Sequence, residues 1–163
     1  HFDCCWIPDS IEQPIVADLN QVELNIPKTM IGWLSRFEKE ELPPKQDYLF
    51  ISSGPLPERH RFEKQMHKLL ASKNTKFVCP DNEVIKTAVC NPSTEQLNTL
   101  INESKWVVSR NGYTTLMEMI SLKQPAYLIP TPKQYEQEWL ATNNSADFIF
   151  NGKIEQFKEF LGP

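Results

Sequence analysis

Glycine is scarce in this sequence: 5 residues in 163, where average usage would give about 11. That excludes a collagen-like chain or a glycine-rich linker, and each glycine present is expected to hold a position for a reason. No uninterrupted apolar run approaches the ~20 residues of a membrane-spanning helix, and the opening His1-Phe2-Asp3 has no signal-peptide character. Basic residues are not in excess. The 17 Lys and Arg face 21 Asp and Glu, a net charge of −4, which argues against a reader of nucleic acid held by phosphate contacts. There is no C-x-x-C pair, and the three histidines do not stand near the cysteines in zinc spacing. No D-x-D triplet occurs, and no internal repeat or low-complexity tract is visible.

The remaining composition is that of one ordinary globular domain, with 40% apolar and 23% charged residues. Proline is abundant, at 13 residues against about 8 at average usage, and it punctuates the chain. Cys4, Cys5, Cys79 and Cys90 are expected as free, buried or half-buried thiols in strands, which suits a reducing, cytoplasmic setting. The segment Asp3 to Asp9 reads as a short buried strand with no lead-in, so the chain is expected to be cut from a longer protein, a view that the non-initiator His1 favours. Residues 1–28 are expected to form the end of a preceding domain and a linker, with an irregular polar stretch from Ser10 to Pro27. Residues 29–163 are expected to form the main domain.

Within that domain, strands and helices alternate. Thr29–Ile31, Asp47–Ser52, Lys76–Cys79, Thr87–Cys90, Lys105–Ser109, Ala126–Ile129 and Asp147–Phe150 read as strands. Pro57–Ser72, Ser93–Glu103, Thr115–Lys123, Gln134–Thr142 and Ile154–Leu161 read as helices. Phe62, Met66, Leu69 and Leu70 share one helical face, and Ser93-Thr94-Glu95-Gln96 has the form of a capping box. The alternation predicts βαβ units, hence an α/β, Rossmann-like parallel sheet with helices on both faces. Ligands of such folds sit beyond the carboxyl ends of the strands, so the turns that follow strands are where function is sought.

Three such turns stand out. Ser52-Ser53-Gly54-Pro55 leads from a strand into a helix and could offer amides to phosphate, although serine and glycine are ordinary residues in such a turn. In Ser109-Arg110-Asn111-Gly112-Tyr113-Thr114-Thr115, a strand ends and a helix opens whose free amides and hydroxyls suit a diphosphate. Glu118 lies one turn further, where a carboxylate can accept from both hydroxyls of a ribose. Thr115-x-x-Glu118 is equally a capping box, and the two readings stay open at this point. The third turn, Pro130 to Trp139, carries Gln137 and Glu138, which could hydrogen-bond sugar hydroxyls or simply be solvated.

These turns resemble the carboxy-terminal, donor-binding half of two-domain GT-B glycosyltransferases of the family 28 type, the group that contains the bacterial peptidoglycan N-acetylglucosaminyltransferase. Ser109, Arg110, Gly112, Thr115 and Glu118 match that group's S/C-R-x-G-x-x-T-x-x-E turn, and Pro125 and Pro130 keep its spacing. The resemblance implies that Tyr113, Thr114 and Thr115 surround the donor phosphates, that Glu118 holds the ribose and that Gln137 contacts the donor sugar. Glu138 stands where the family has a second glutamine, a departure that suits a different sugar. Upstream, Ile31-Gly32-Trp33-Leu34-Ser35-Arg36 is similar to the family's G-x-x-x-R turn, which would face Arg36 to the diphosphate. Ser53 and Gly54 correspond to a reduced G-G-S phosphate loop, and backbone near Val89 to Asn91 to the uracil grip.

The function implied is binding of a nucleoside-diphosphate sugar, UDP-linked, as co-substrate with no other cofactor and no metal. A hexosyl group would pass to the hydroxyl of a lipid-linked or glycan acceptor. The resemblance places the general base and acceptor groove in an amino-terminal domain outside this chain, so no catalytic residue is assigned and the chain alone is expected to be inactive. The parent protein could associate with a membrane. Alternatives on the same fold are half of a nucleotide-sugar epimerase or hydrolase, the donor-binding subunit of a split transferase, and a decayed homologue retained as an interaction module.

Overall fold

Six parallel strands form the main sheet in the order β5-β4-β3-β6-β7-β8. The strands are β3 (Gln46–Ile51), β4 (Thr75–Cys79), β5 (Val89–Cys90), β6 (Ser104–Arg110), β7 (Ala126–Ile129) and β8 (Ile149–Asn151). A computed structural model describes residues 2–12, 14–15, 23–143 and 146–162. The five helices are α1 (Glu58–Leu70), α2 (Thr94–Asn102), α3 (Tyr113–Leu122), α4 (Tyr135–Asn143) and α5 (Ile154–Leu161). The architecture is the Rossmann-like α/β sheet that the alternation of elements predicts.

The strand side chains alternate between two covered faces, which is why the central strands are apolar almost throughout. Leu49, Val78, Val107 and Leu128 join Leu97, Ile101, Leu116, Met119, Leu122 and Leu140 on the face that carries α2, α3 and α4. Phe50, Phe77, Val108, Tyr127 and Ile129 point the other way, onto Phe62, Met66, Leu70 and Phe157 of α1 and α5. The Phe50 ring lies 5.3 Å from that of Phe62 and 6.0 Å from that of Phe77, inside the range where aromatic pairs attract beyond simple burial.

The expected capping box at Ser93 is present. Ser93 Oγ accepts from the Gln96 amide at 3.2 Å, and Gln96 Oε1 accepts from the Ser93 amide at 2.9 Å. Several boundaries shift by a residue or two, as frayed ends do. One such shift bears on the site: α3 begins at Tyr113 rather than Thr115.

A second, two-stranded parallel sheet pairs β1 (Cys5–Ile7) with β2 (Lys28–Met30). Its pairing runs across the 28/29 boundary expected from sequence. The expected burial of the first strand does not hold throughout: Trp6 is 69% exposed. Cys4 and Cys90 are also exposed, a correction to the expectation of covered thiols, and all four cysteines are free. The polar stretch from Ser10 to Pro27 lies partly outside the described residues. After β2 the chain runs irregularly to Lys45, and this charged segment is anchored by α2. Asn98 Oδ1 accepts from the Glu38 amide at 3.0 Å, and Asn102 Oδ1 accepts from the Glu40 amide at 2.9 Å. Among the described residues no helix is long and apolar enough to cross a membrane.

Gly152, just past β8, owes its identity to close packing. A Cβ there would meet Tyr127 Oη at 2.5 Å and Gln156 Oε1 at 2.8 Å. Gly152→Ala should therefore destabilise the fold by about 1–3 kcal/mol, read as a lower denaturant midpoint at unchanged slope.

Candidate functional site

The strand order reverses between β3 and β6. From β3 the chain proceeds outward to β4 and β5, then returns to the other side of β3 and proceeds outward through β6, β7 and β8. At such a switch point the two following connections diverge and leave a crevice beyond the carboxyl ends. Ile51 and Ser109 stand side by side in the register, and Ser109 Oγ donates to the Ile51 carbonyl at 3.0 Å. The first two turns singled out in the sequence are thus neighbours in space.

The turn after β3 is divided between structure and surface. Ser52 is buried, and its hydroxyl donates to Glu63 Oε1 at 2.7 Å. Glu63, fully buried on α1, also pairs with Arg59 Nε at 3.4 Å. Arg59 reaches on to Asp81 beyond β4. This network, which sequence reading missed, fastens the turn to α1 and to the end of β4. Ser53 and Gly54 are left exposed, and Gly54 adopts φ +103, a conformation that other residues rarely reach.

The turn after β6 leads into α3 with Gly112 as N-cap, and no side chain caps the helix. Leu116 is the first residue whose amide bonds back, to the Gly112 carbonyl at 2.9 Å. The amides of Tyr113, Thr114 and Thr115 therefore have no acceptor within the helix and carry the positive end of its dipole. Gly112 is extended, and a Cβ built on it meets nothing within 4 Å. Neither backbone strain nor packing demands glycine there; its missing side chain leaves open space before the free amides. The Tyr113 hydroxyl donates to the Pro8 carbonyl, so this side chain docks the amino-terminal segment. Burial, with Asp9 and Glu136 nearby, raises its pKa.

The start of α3 at Tyr113 makes Thr115 its third residue and removes the capping-box reading of Thr115-x-x-Glu118. Glu118 lies in the second turn with its side chain 8% exposed, and its Oε1 accepts from Arg36 Nε at 3.0 Å. Burial pushes the Glu118 pKa up, partly opposed by Arg36. Arg36, 60% exposed, reaches it from the irregular segment after β2. Leu34, Ser35, Arg36, Thr114 and Glu118 line a pocket of about 430 Å³. Arg36, Thr114 and Glu118 are thus brought together.

Arg110 goes elsewhere. As the last residue of β6 it points to the same face as Val108, the α1/α5 face. Its guanidinium carbon sits 3.7 Å from the centre of the Phe62 ring, and its Nη1 donates to the Pro130 carbonyl at 3.0 Å. Burial lowers its pKa to about 10, against a raising contribution from Glu58. Gln137 and Glu138 close the turn before α4. Gln137 Oε1 accepts from the Thr131 amide at 2.8 Å, and Glu138 Oε1 accepts from the Lys133 amide at 3.0 Å. Asn111, fully buried, donates through Nδ2 to the Gln137 carbonyl at 3.1 Å, which ties the turn after β6 to α4. Arg110 and Glu138 line a second pocket, of about 900 Å³, between α1, α4 and α5. Asn91, at the end of β5, has φ +46 and bonds through Nδ2 to the Pro80 carbonyl at 3.0 Å.

Of metal-binding residue types, His60, Asp81 and Glu83 approach one another. Arg59 already bonds Asp81 and stands 3.3 Å from His60 Nε2, so a cation fills that cluster.

The family model described as glycosyltransferase family 28 C-terminal domain matches residues 49–154. No curated protein matches the chain. Among solved structures, the chain is similar to the spinosyn forosaminyltransferase SpnP, with a TM-score of 0.53 at 14% identity over 98% of this chain and 45% of that one. That likeness concerns the fold, and the chain spans just under half the length of that protein.

The buried Glu118 gives a pH signature. Its raised pKa means that the native state holds the proton more tightly than the unfolded chain does. Stability is therefore lost as pH rises from the unfolded value through the native one. Glu118→Gln should be at least as stable as the parent at pH 7, and the advantage should vanish below about pH 4. A capping role would instead cost about 0.5–2 kcal/mol at all these pH values. Denaturant unfolding across pH separates the two.

Proposed function

The chain belongs to the family of glycosyltransferase family 28 C-terminal domains, and from that premise we propose that it is the donor half of a glycosyltransferase that binds a nucleoside-diphosphate sugar, UDP-linked. The observation that carries this reading is the uncapped start of α3: three free amides behind a glycine that neither strain nor packing requires, with the buried Glu118 one turn on. Amides at a helix start are fixed dipoles that favour a diphosphate without further reorganisation. Glu118 is acceptor-only when ionised and suits the two hydroxyls of a ribose.

In the free protein Arg36 occupies Glu118. A bound nucleotide would divide the pair: the exposed guanidinium swings to the diphosphate, and the carboxylate takes the ribose. As transfer proceeds, the bond from the sugar's anomeric carbon to the β-phosphate oxygen breaks, and a bond to the acceptor oxygen forms. Charge grows on the departing diphosphate, where the α3 amides and Arg36 would stabilise it. The acceptor proton goes to a base outside this chain. Ser53 and Gly54 would approach the phosphates from the β3 side, and Gln137 would offer its free amide nitrogen to the sugar. Residues 29–163 would form this unit, completed by an amino-terminal domain that supplies the acceptor groove.

Titration calorimetry tests the reading. UDP should bind more tightly than 2′-deoxy-UDP and GDP. Glu118→Ala should weaken UDP by about tenfold or more, the worth of a charge-assisted hydrogen bond, while deoxy-UDP changes less. No heat with UDP, UDP-GlcNAc or GDP would remove the proposal.

A further inference from the structure

Arg110 is a buried cation without a counter-charge. It is 9% exposed, and among the described residues no carboxylate lies within ion-pair distance of it. Two acids that line the same pocket as Arg110 are otherwise engaged: Glu58 pairs with Arg61, and Glu138 accepts from the Lys133 amide. One nitrogen, Nη1, is held by the Pro130 carbonyl, and the Phe62 ring covers one face of the guanidinium. That clamp fixes the fork, and Arg110 lines the pocket of about 900 Å³ beyond β6, β7 and β8. Lys133 and Lys153 line the same pocket, and neither has a carboxylate partner among the described residues. Glu155 is the remaining acid on its wall. A buried charge is retained at a cost unless something pairs with it, and a planar fork held on an aromatic ring matches a phosphate or carboxylate.

We propose that this pocket is a second ligand subsite, distinct from the α3 nucleotide cradle, and that Arg110, with Lys133 and Lys153, binds there one phosphate or carboxylate group of a small-molecule ligand. The two sites are built on side chains from opposite faces of the sheet, although α4 also lines the pocket through Glu138 and Thr142. Glu118 and its helix lie on the α2/α3/α4 face, whereas Arg110 turns to the α1/α5 face. In a sugar transfer reaction such a group would be carried by the acceptor or by an acidic sugar. The subsite itself follows from the unpaired cation and does not rest on the nucleotide assignment.

Amide and arginine-Nε correlation NMR on the ¹⁵N-labelled protein tests this, with inorganic phosphate and glucuronate added separately at constant ionic strength. At least one should give saturable shifts at Lys133, Gly152 and Arg110 Nε–H, and the tighter of the two identifies the anion class. Arg110→Gln should weaken that binding by about tenfold or more, and Arg36→Gln should leave it unchanged. Should Arg110→Gln fail to fold, Lys133→Asn/Lys153→Ala, which touches only exposed side chains, should weaken binding several-fold. Binding should persist in protein saturated with UDP. Shifts confined to Gly112–Thr115, affinity indifferent to these substitutions, or displacement by UDP would each overturn the proposal. A protein that ignores UDP but binds phosphate at Arg110 would instead overturn the nucleotide reading alone.

Discussion

The juxtaposition of β3 and β6 is the constraint from which the rest of the molecule's chemistry follows. Parallel strands need crossovers, and right-handed crossovers leave the two central strands feeding connections that run in opposite directions. The reversal at this pair sets the exposed Ser53-Gly54 turn beside the uncapped start of α3. Most helices satisfy their first amides with a side chain. Here α2 does so through Ser93, and α3 does not. The same chain therefore contains a capped helix on an outer connection and an open one at the crevice. The starts of α1 and α5 also lack a side-chain cap; what sets α3 apart is the open space that Gly112 leaves at its N-cap.

Much of this was legible in the sequence, for definite reasons. Apolar runs such as Leu49-Phe50-Ile51 and Val107-Val108 read as strands because both of their faces are covered, and Phe62, Met66 and Leu70 repeat with a helical period. The extent of α3 was less legible. Two threonines before an apolar run look like a cap, yet the helix begins earlier, at Tyr113 with Gly112 as N-cap, and the Tyr113 hydroxyl donates to the Pro8 carbonyl. That contact joins positions 105 residues apart, and no local pattern carries it. The Arg36–Glu118 pair, 82 residues apart, is equally invisible to spacing. The family resemblance implies only that both residues stand near one ligand, Arg36 at the diphosphate and Glu118 at the ribose, and not that they pair.

The scarcity of glycine was informative in an uneven way. Gly54 sits in the left-handed region and Gly152 is packed against Tyr127, so the expectation of a positional reason holds for both. Gly112 departs from it: within the folded chain nothing prevents a side chain there. The space its missing side chain leaves lies at the N-cap of α3, before the helix's first amides.

Arg110 shows that neighbours in a motif can leave the backbone on opposite faces. It stands two residues before Gly112, but strand alternation turns its side chain through the sheet to the opposite face from α3. The period of a strand separates neighbours in sequence, while the crossover gathers Arg36 and Glu118 from distant segments. The turn after β6 therefore serves both faces at once. Its backbone opens toward the α3 amides, and its arginine, steadied by Phe62 and the Pro130 carbonyl, opens toward the pocket between α1, α4 and α5. Asn111, buried between them and bonded to the Gln137 carbonyl, fixes the two openings relative to each other.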